Sequence, residues 1–406
     1  MTISKNINVL YITYDGLTDQ LGQSQILPYL FGLSGSYSFT IISCEKPLHY
    51  KNYYNRVSET CKSHNITWIP LRYTASASGW TAIFNFYKLR KKVFAQLKRK
   101  QYSFLHCRSY FPALIALDVK HKFNIPYIFD MRGFWADERV DGKLWNIENI
   151  LYRSVYQYFK KKELLLFREA AEIISLTKKA IPTIKSITNT TNSAITVIPC
   201  ATDFSRFNPV KYPDRITVRK NLEINEDDTV LCYLGSTGTW YMLNEMLGFF
   251  RHLLKLRPDS IFLIITNDPL NEVVNRISTA HIPQSCIRIT ASDPAEVPKY
   301  LSAADFAISF IQNTFSKQAS SPTKLGEFLA MGIPVVCNDI GDVKSQLEFT
   351  GGGICLENFS ESDFSESVQK LITTKYNKHE IRTKAMHFFD LSSAVTKYKS
   401  VYKNIK

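Results

Sequence analysis

The chain has 406 residues, 45% hydrophobic and 21% charged, the balance of an ordinary globular protein long enough for two or three domains. A single small binding module, a disordered chain, collagen and coiled coil are excluded. The net charge is +14, and the whole excess falls in residues 1–200, where Lys and Arg number 27 against 13 Asp and Glu. A half-molecule so basic suits nucleic acid, an anionic membrane surface or a phosphorylated substrate.

In chain order, INVLYIT at 7–13 reads as a strand, followed by the Gly-containing loop DGLTDQLGQSQ and an apolar helical segment, ILPYLFGL. FTIIS (39–43), SFLHC (103–107), YIFDM (127–131) and EIISLT (172–177) read as further strands with helices between them. The Pro-rich segment IPCATDFSRFNPVKYPD then marks an interdomain hinge. A second series follows: TVLCYLG (229–235), IFLIIT (261–266), CIRIT (286–290), FAISF (306–310), PVVCN (334–338) and GGICL (352–356). Strands alternating with helices predict an α/β protein, with one doubly wound parallel sheet in residues 1–200 and another in 201–390. Two such domains facing a central cleft would present their strand carboxyl ends, where these sheets bind ligands, to one another. No stretch approaches the roughly 18–20 apolar residues of a membrane span, and the N-terminus has no signal-peptide core, so a cytoplasmic protein is expected. The eight cysteines form no CxxC pair and the histidines no HExxH, so reduced thiols and no metal are expected.

Chemistry concentrates in SKQASSPTKLGEFLAMGIPVVCNDIGD, residues 316–342. Ser321 reads as an N-cap, Pro322 as the first helical turn and Gly332 as the stop. Backbone N–H groups at Thr323, Lys324 and Leu325, the positive end of the helix and the Lys324 ammonium would bind phosphate. Glu327, one turn on, could accept from two vicinal sugar hydroxyls. Phosphate and ribose together mean a nucleotide, although an ordinary capped helix carries the same residue types. A second loop, GSTGTWYML at 235–243, follows the first strand of the second series, with Gly235 and Gly238 allowing close approach of backbone. A glycine needed only for a tight turn reads the same way.

Five strings in order resemble glycosyltransferase family 4, retaining enzymes of the GT-B fold: YITYDGLTDQLGQSQILPYL, FDMRGFWADERVDGKLW, VIPCATDFSRF, YLGSTGTWYMLNEML and SSPTKLGEFLAMGIPVV. The resemblance implies two Rossmann-like domains, with a last helix in 391–406 crossing back to the N-terminal domain. It implies donor contacts at Gly22, at Gly235, Ser236 and Thr237, at Thr290 and Ser292 for the base, and at Ser321, Thr323, Lys324, Leu325 and Glu327. Glu327 matches the second Glu of the family's paired-Glu motif, on the ribose. The first falls at Ala319, leaving Lys317, Ser320 or Ser321 in its place. The Arg and Lys usual at the diphosphate are missing from GSTGTW, so Lys324 and the amides of Gly235 to Thr237 replace them. Asp130 and Arg132, ending the strand YIFDM, are the catalytic candidates with Lys324; Asp137, Glu138, His106 and Arg108 stand nearby in sequence.

In the segment 80–100, Trp80, Ile83, Phe84, Tyr87, Phe94 and Leu97 interleave with seven cations at 88–100, an amphipathic pattern suited to an anionic leaflet as well as to a plain surface helix. The function implied is transfer of a sugar from a nucleoside-diphosphate sugar to a hydroxyl of a glycan, lipid-linked, in synthesis of surface polysaccharide, capsule or lipopolysaccharide. The enzyme would be peripherally membrane-bound and would use neither cofactor, metal nor nucleic acid. The competing readings are a sugar-nucleotide 2-epimerase of the same fold and a non-catalytic nucleotide-sugar-binding protein.

Overall fold

The structure, a computed structural model, describes residues 7–74, 80–189, 194–212, 214–238 and 240–405, with the Trp80 side chain outside the description. It forms two compact units. The first comprises Met1–Pro199 and Leu391–Lys406, the second Cys200–Asp390.

The first unit is built on seven parallel strands: β1 (Ile7–Thr13), β2 (Tyr37–Glu45), β3 (Thr67–Arg72), β4 (Phe104–Arg108), β5 (Tyr127–Asp130), β6 (Glu172–Ser175) and β7 (Ile195–Val197). Their order is β3-β2-β1-β4-β5-β6-β7. Helices cover both faces, so the central strands are largely apolar; β4 and β5 are buried at every position, including the charged residues at their carboxyl ends. The order reverses between β1 and β4, which opens a crevice at their carboxyl ends. The returning helix Leu391–Asn404 belongs to this unit and buries Tyr398 and Tyr402. The Tyr402 ring packs edge-on against Tyr37 and Phe104 at 4.9 Å each.

The second unit holds β8 (Thr229–Leu234), β9 (Ser260–Ile265), β10 (Ile287–Thr290), β11 (Phe306–Ser309), β12 (Val335–Asn338) and β13 (Gly353–Leu356), all parallel, in the order β10-β9-β8-β11-β12-β13. Side chains of β8 alternate between two cores. Val230, Cys232 and Leu234 join one, and Leu231 and Tyr233 the other. The reversal here lies between β8 and β11.

Two strands were not foreseen. Strand β3 contains Pro70, is only partly buried and lies at the sheet edge, where proline is tolerated and the apolar signal is weak. Strand β7 has three residues, too few for any pattern. The helix Trp80–Leu97 buries Leu89 and Val93, whereas Ile83, Phe84 and Tyr87 are exposed.

Candidate donor-type site and the strand-end charge cluster

In the second unit the site forms at the reversal, where the loop after β8 meets the helix that follows β11. That helix is Thr323–Ala330, one residue later than the sequence suggests. Ser321 does not cap it. Its Oγ instead accepts the N–H of Cys200 at 3.1 Å, and the cap position falls to Pro322, which has no side-chain acceptor. The stop is as expected. Gly332 takes φ +70°, Ile333 N–H bonds Phe328 O and Gly332 N–H bonds Leu329 O, both at 3.0 Å, a Schellman closure. At the start of the helix Leu325 N–H turns back to Pro322 O at 3.2 Å, leaving the Thr323 and Lys324 amides as its outward donors.

Lys324 lies directly over the loop after β8. A Cβ on Gly235 would stand 2.9 Å from Lys324 Cε and 3.5 Å from Nζ, and Gly235 holds φ +135°. The backbone conformation favours glycine there, and a side chain would also displace the Lys324 ammonium. The sequence reading offered the amides of Gly235 to Thr237 to a diphosphate, but two of them are engaged. Gly235 N–H donates to Ile265 O at 2.9 Å and Thr237 N–H to the Asp268 carboxylate at 2.5 Å. Asp268 also accepts from Thr237 Oγ1 (2.8 Å) and Ser236 Oγ (3.1 Å), while Arg276 donates to Thr237 O. Asp268, just after β9, and Arg276, in the helix Leu270–Ser278, therefore shape the loop, and the full positive charge in contact with it at Gly235 is Lys324.

Glu327 is partly buried, and its carboxylate has no hydrogen-bond partner among the described residues. Burial raises its carboxyl above the usual range, with Lys324 and Arg206 acting in the opposite direction. Gly326 beside it is obligatory: a Cβ would stand 2.7 Å from Thr202 Oγ1 and 3.2 Å from the Phe389 ring. Ala319 is fully buried, and Lys317, 5% exposed, holds its ammonium 3.7 Å over the Trp240 ring. Thr290 ends β10 and Ser292 follows in the next loop, where both its backbone groups pair with the Asn267 amide at 3.1 Å.

In the first unit Asp130 ends β5 only 1% exposed. Its Oδ2 accepts from Tyr398 at 3.2 Å and lies 3.6 Å from His106 Nε2 and 4.0 Å from Arg108 Nη1; Arg132 Nη1 is 3.7 Å from Oδ1. Burial alone would raise this carboxyl, but Arg132, the nearby His106 ring and Arg108 outweigh it and hold it at about 2. So acidic and enclosed a carboxylate is suited to anchoring cations rather than to taking up a proton. Arg132 adopts φ +59°, uncommon for a residue with a Cβ, at the mouth of this cluster. Burial lowers the His106 imidazole, whose Nδ1 meets the Tyr402 hydroxyl at 2.6 Å. Arg108 Nε donates to Asp15 at 3.2 Å, joining the carboxyl ends of β1 and β4. Asp137 is turned away into a separate network with Tyr156 and Lys160, both at 2.8 Å.

Gly22 is buried, and the close approach it permits is to the chain itself: a Cβ would stand 2.6 Å from Leu17 Cα and closer still to Gly16 O. The loop it touches is held by Glu45, 1% exposed, whose carboxylate accepts from Leu17 N–H (2.8 Å), Thr18 N–H (3.1 Å), Thr18 Oγ1 and Ser43 Oγ (2.5 Å each). Each unit thus fastens its first loop with a carboxylate from the end of its second strand, a feature visible only in three dimensions. Among the described residues no group of three or more His, Cys, Asp or Glu could hold a metal ion, and no helix is long and apolar enough to cross a membrane.

Residues 214–387 match the family model of the Glycosyl transferases group 1. No curated protein matches the sequence. Among solved structures the fold is similar to a glycosyltransferase from Rickettsia africae (14% identity, 99% of each chain, TM-score 0.70). It is also similar to HepE from Anabaena solved with UDP and glucose (12% identity, 98% of this chain and 100% of that one, TM-score 0.69). A third is WaaG, a glycosyltransferase involved in lipopolysaccharide biosynthesis (14% identity, 97% and 99%, TM-score 0.65). At these identities the likeness is one of fold, the two-domain GT-B architecture.

Proposed function

We propose that this chain is a retaining glycosyltransferase of family 4 that moves a sugar from a nucleoside-diphosphate sugar to a hydroxyl of a lipid-linked glycan. The observation that carries the reading is the grouping of Lys324, pressed over Gly235, with the outward amides of Thr323 and Lys324 and the Glu327 carboxylate, without a partner among the described residues, one turn along the same helix. A helix start with a lysine binds a diphosphate, and a carboxylate with free lone pairs accepts from a ribose diol. In this reading Lys324 meets the negative charge that grows on the departing diphosphate as the glycosidic bond breaks. The group 1 family match over 214–387 supports the same assignment.

A peripheral place on an anionic leaflet is supported by the outward Ile83, Phe84 and Tyr87, which share a helix with Lys88, Arg90, Lys91 and Lys92. Exposed Ile150 and Leu151 add apolar surface elsewhere on the same unit. Such a location suits surface-polysaccharide synthesis.

The test is Glu327→Gln, titrated calorimetrically with UDP and GDP. Hydrogen bonds to a charged group contribute about 1.5–3 kcal/mol, so Kd for the nucleotide that binds should rise roughly tenfold or more while the melting temperature holds. An unchanged Kd removes the ribose assignment, and with it the observation on which the function rests.

A further inference from the structure

The loop after β8 is the seat of Lys324. Gly235 lies under the lysine stem, and the Tyr241 ring stands 5.9 Å from the ammonium, so where this loop rests decides where the charge rests. Its two ends are tied to the sheet, Gly235 through its N–H to Ile265 O at 2.9 Å and Tyr241 through a bridge to Ile311. Between them Ser236 and Thr237 belong to no strand ladder, and side chains hold them instead. The Tyr233 hydroxyl donates to Ser236 O and Arg276 to Thr237 O, while Asp268 takes the remaining donors.

Thr237 N–H (2.5 Å), Thr237 Oγ1 (2.8 Å) and Ser236 Oγ (3.1 Å) all donate to the same oxygen of Asp268, Oδ2. Asp268 is itself fixed from behind. Its N–H donates to Thr266 Oγ1 at 3.1 Å, and the Asn267 side chain before it pairs with both backbone groups of Ser292. Hydrogen bonds to an ionised acceptor are about twice as strong as neutral ones, so a carboxylate on a fixed base that takes every free donor of two loop residues sets the height of that loop. Glu45 in the first unit offers a contrast. It is 1% exposed and spends both oxygens on its loop, as a core residue does, whereas Asp268 is half-buried and works through one oxygen at the edge of the site.

We propose that Asp268 is a positioning residue of the nucleotide site: by holding Ser236 and Thr237 down it keeps Gly235 under Lys324, and so keeps the ammonium where it meets the diphosphate. This rests on the nucleotide-site reading above and adds to it a residue that touches no ligand and acts through Lys324. A binding group misplaced by about 1 Å can lose most of what it contributes. The convergence on Oδ2 also says which replacement will serve. In Asp268→Asn the amide oxygen can take the place of Oδ2 and accept the same donors, with its NH2 on the side that Oδ1 occupied; Asp268→Ala has no acceptor at all.

The experiment measures Kd for UDP and GDP on the wild-type protein, on Asp268→Ala, Asp268→Asn and Lys324→Ala, and on the double variant Asp268→Ala/Lys324→Ala. For the nucleotide that binds, Asp268→Ala should raise Kd about tenfold, Asp268→Asn should stay within about threefold of wild type, and Asp268→Ala should add less than about twofold once Lys324 is already alanine. An Asp268 that merely supported the fold would cost as much without Lys324 as with it. Wild-type affinity in Asp268→Ala, an asparagine variant as weak as the alanine one, or the full cost in the Lys324→Ala background overturns the inference. Should Asp268→Ala melt early, Thr237→Val takes its place in the cycle, since it removes one donor to Oδ2 and keeps the shape of the side chain; Kd should then rise about threefold, and an unchanged value overturns the inference there too. Failure of the underlying reading has another signature: neither UDP nor GDP binds the wild-type protein, or Glu327→Gln binds as wild type does.

Discussion

Asp130→Asn is the substitution that best tests how the first unit is held together. The side chain keeps its shape and can still accept from Tyr398, but the charge that offsets Arg108 and Arg132 is gone, and Arg108 is 2% exposed. A carboxyl held at about 2 rather than 3.8 contributes roughly 2 kcal/mol of stability at neutral pH, at about 1.36 kcal/mol per pH unit. Leaving a buried cation without its partner costs about 3–5 kcal/mol in comparable pairs, so a loss of roughly 2–5 kcal/mol is expected. The folded carboxyl is depressed, so its contribution is present above pH ~4 and disappears as pH falls towards 2; the gap between wild type and variant should close over that window. Four of the five tryptophans lie in the first unit, so urea unfolding followed by tryptophan fluorescence reports mainly on it. A variant within about 0.5 kcal/mol of wild type at pH 7, or a gap that does not shrink between pH 4 and 2, refutes the anchoring role.

Two further substitutions address chemistry and location. Lys324→Ala should lower kcat more than it weakens donor binding if the ammonium acts on charge that develops in the transition state; wild-type turnover would make it a mere neighbour of Gly235. Changing Lys91, Lys92, Lys98 and Arg99 to Gln should abolish sedimentation with anionic vesicles and lower activity on a lipid-linked acceptor, while sparing a short soluble one. Vesicle binding that survives the changes, or equal loss on both acceptors, would place the contact elsewhere.

The central strands were legible because burial on both faces writes mostly apolar, β-branched and aromatic runs into β1, β8 and β9. Strand β3, half-exposed and interrupted by Pro70, carries no such run. The helix at 323 was legible to within a residue, and the error has a definite source: the Ser321 hydroxyl is claimed by Cys200, 121 positions away, which no local pattern reveals. Lys324 and Glu327 stood out because their residue types suit phosphate and ribose. Asp268 and Glu45 did not, each being recognisable only once parallel pairing sets it beside a loop 31 or about 28 residues earlier.

The membership of Leu391–Lys406 in the first unit inverts the order in which a ribosome would complete the protein. Domains generally fold as they emerge, the earliest first. Here the unit begun first is finished last. Until Tyr398 and Tyr402 are synthesised, the rings of Tyr37 and Phe104 lack a packing partner and the Asp130 cluster lacks its hydroxyl donor. The second unit, continuous from Cys200 to Asp390, can close on its own in the meantime. A nascent chain that has emerged as far as Asp390 but not Tyr398 would therefore carry a folded second unit and an unfinished aromatic socket, and that interval is when chaperones would have the most to bind.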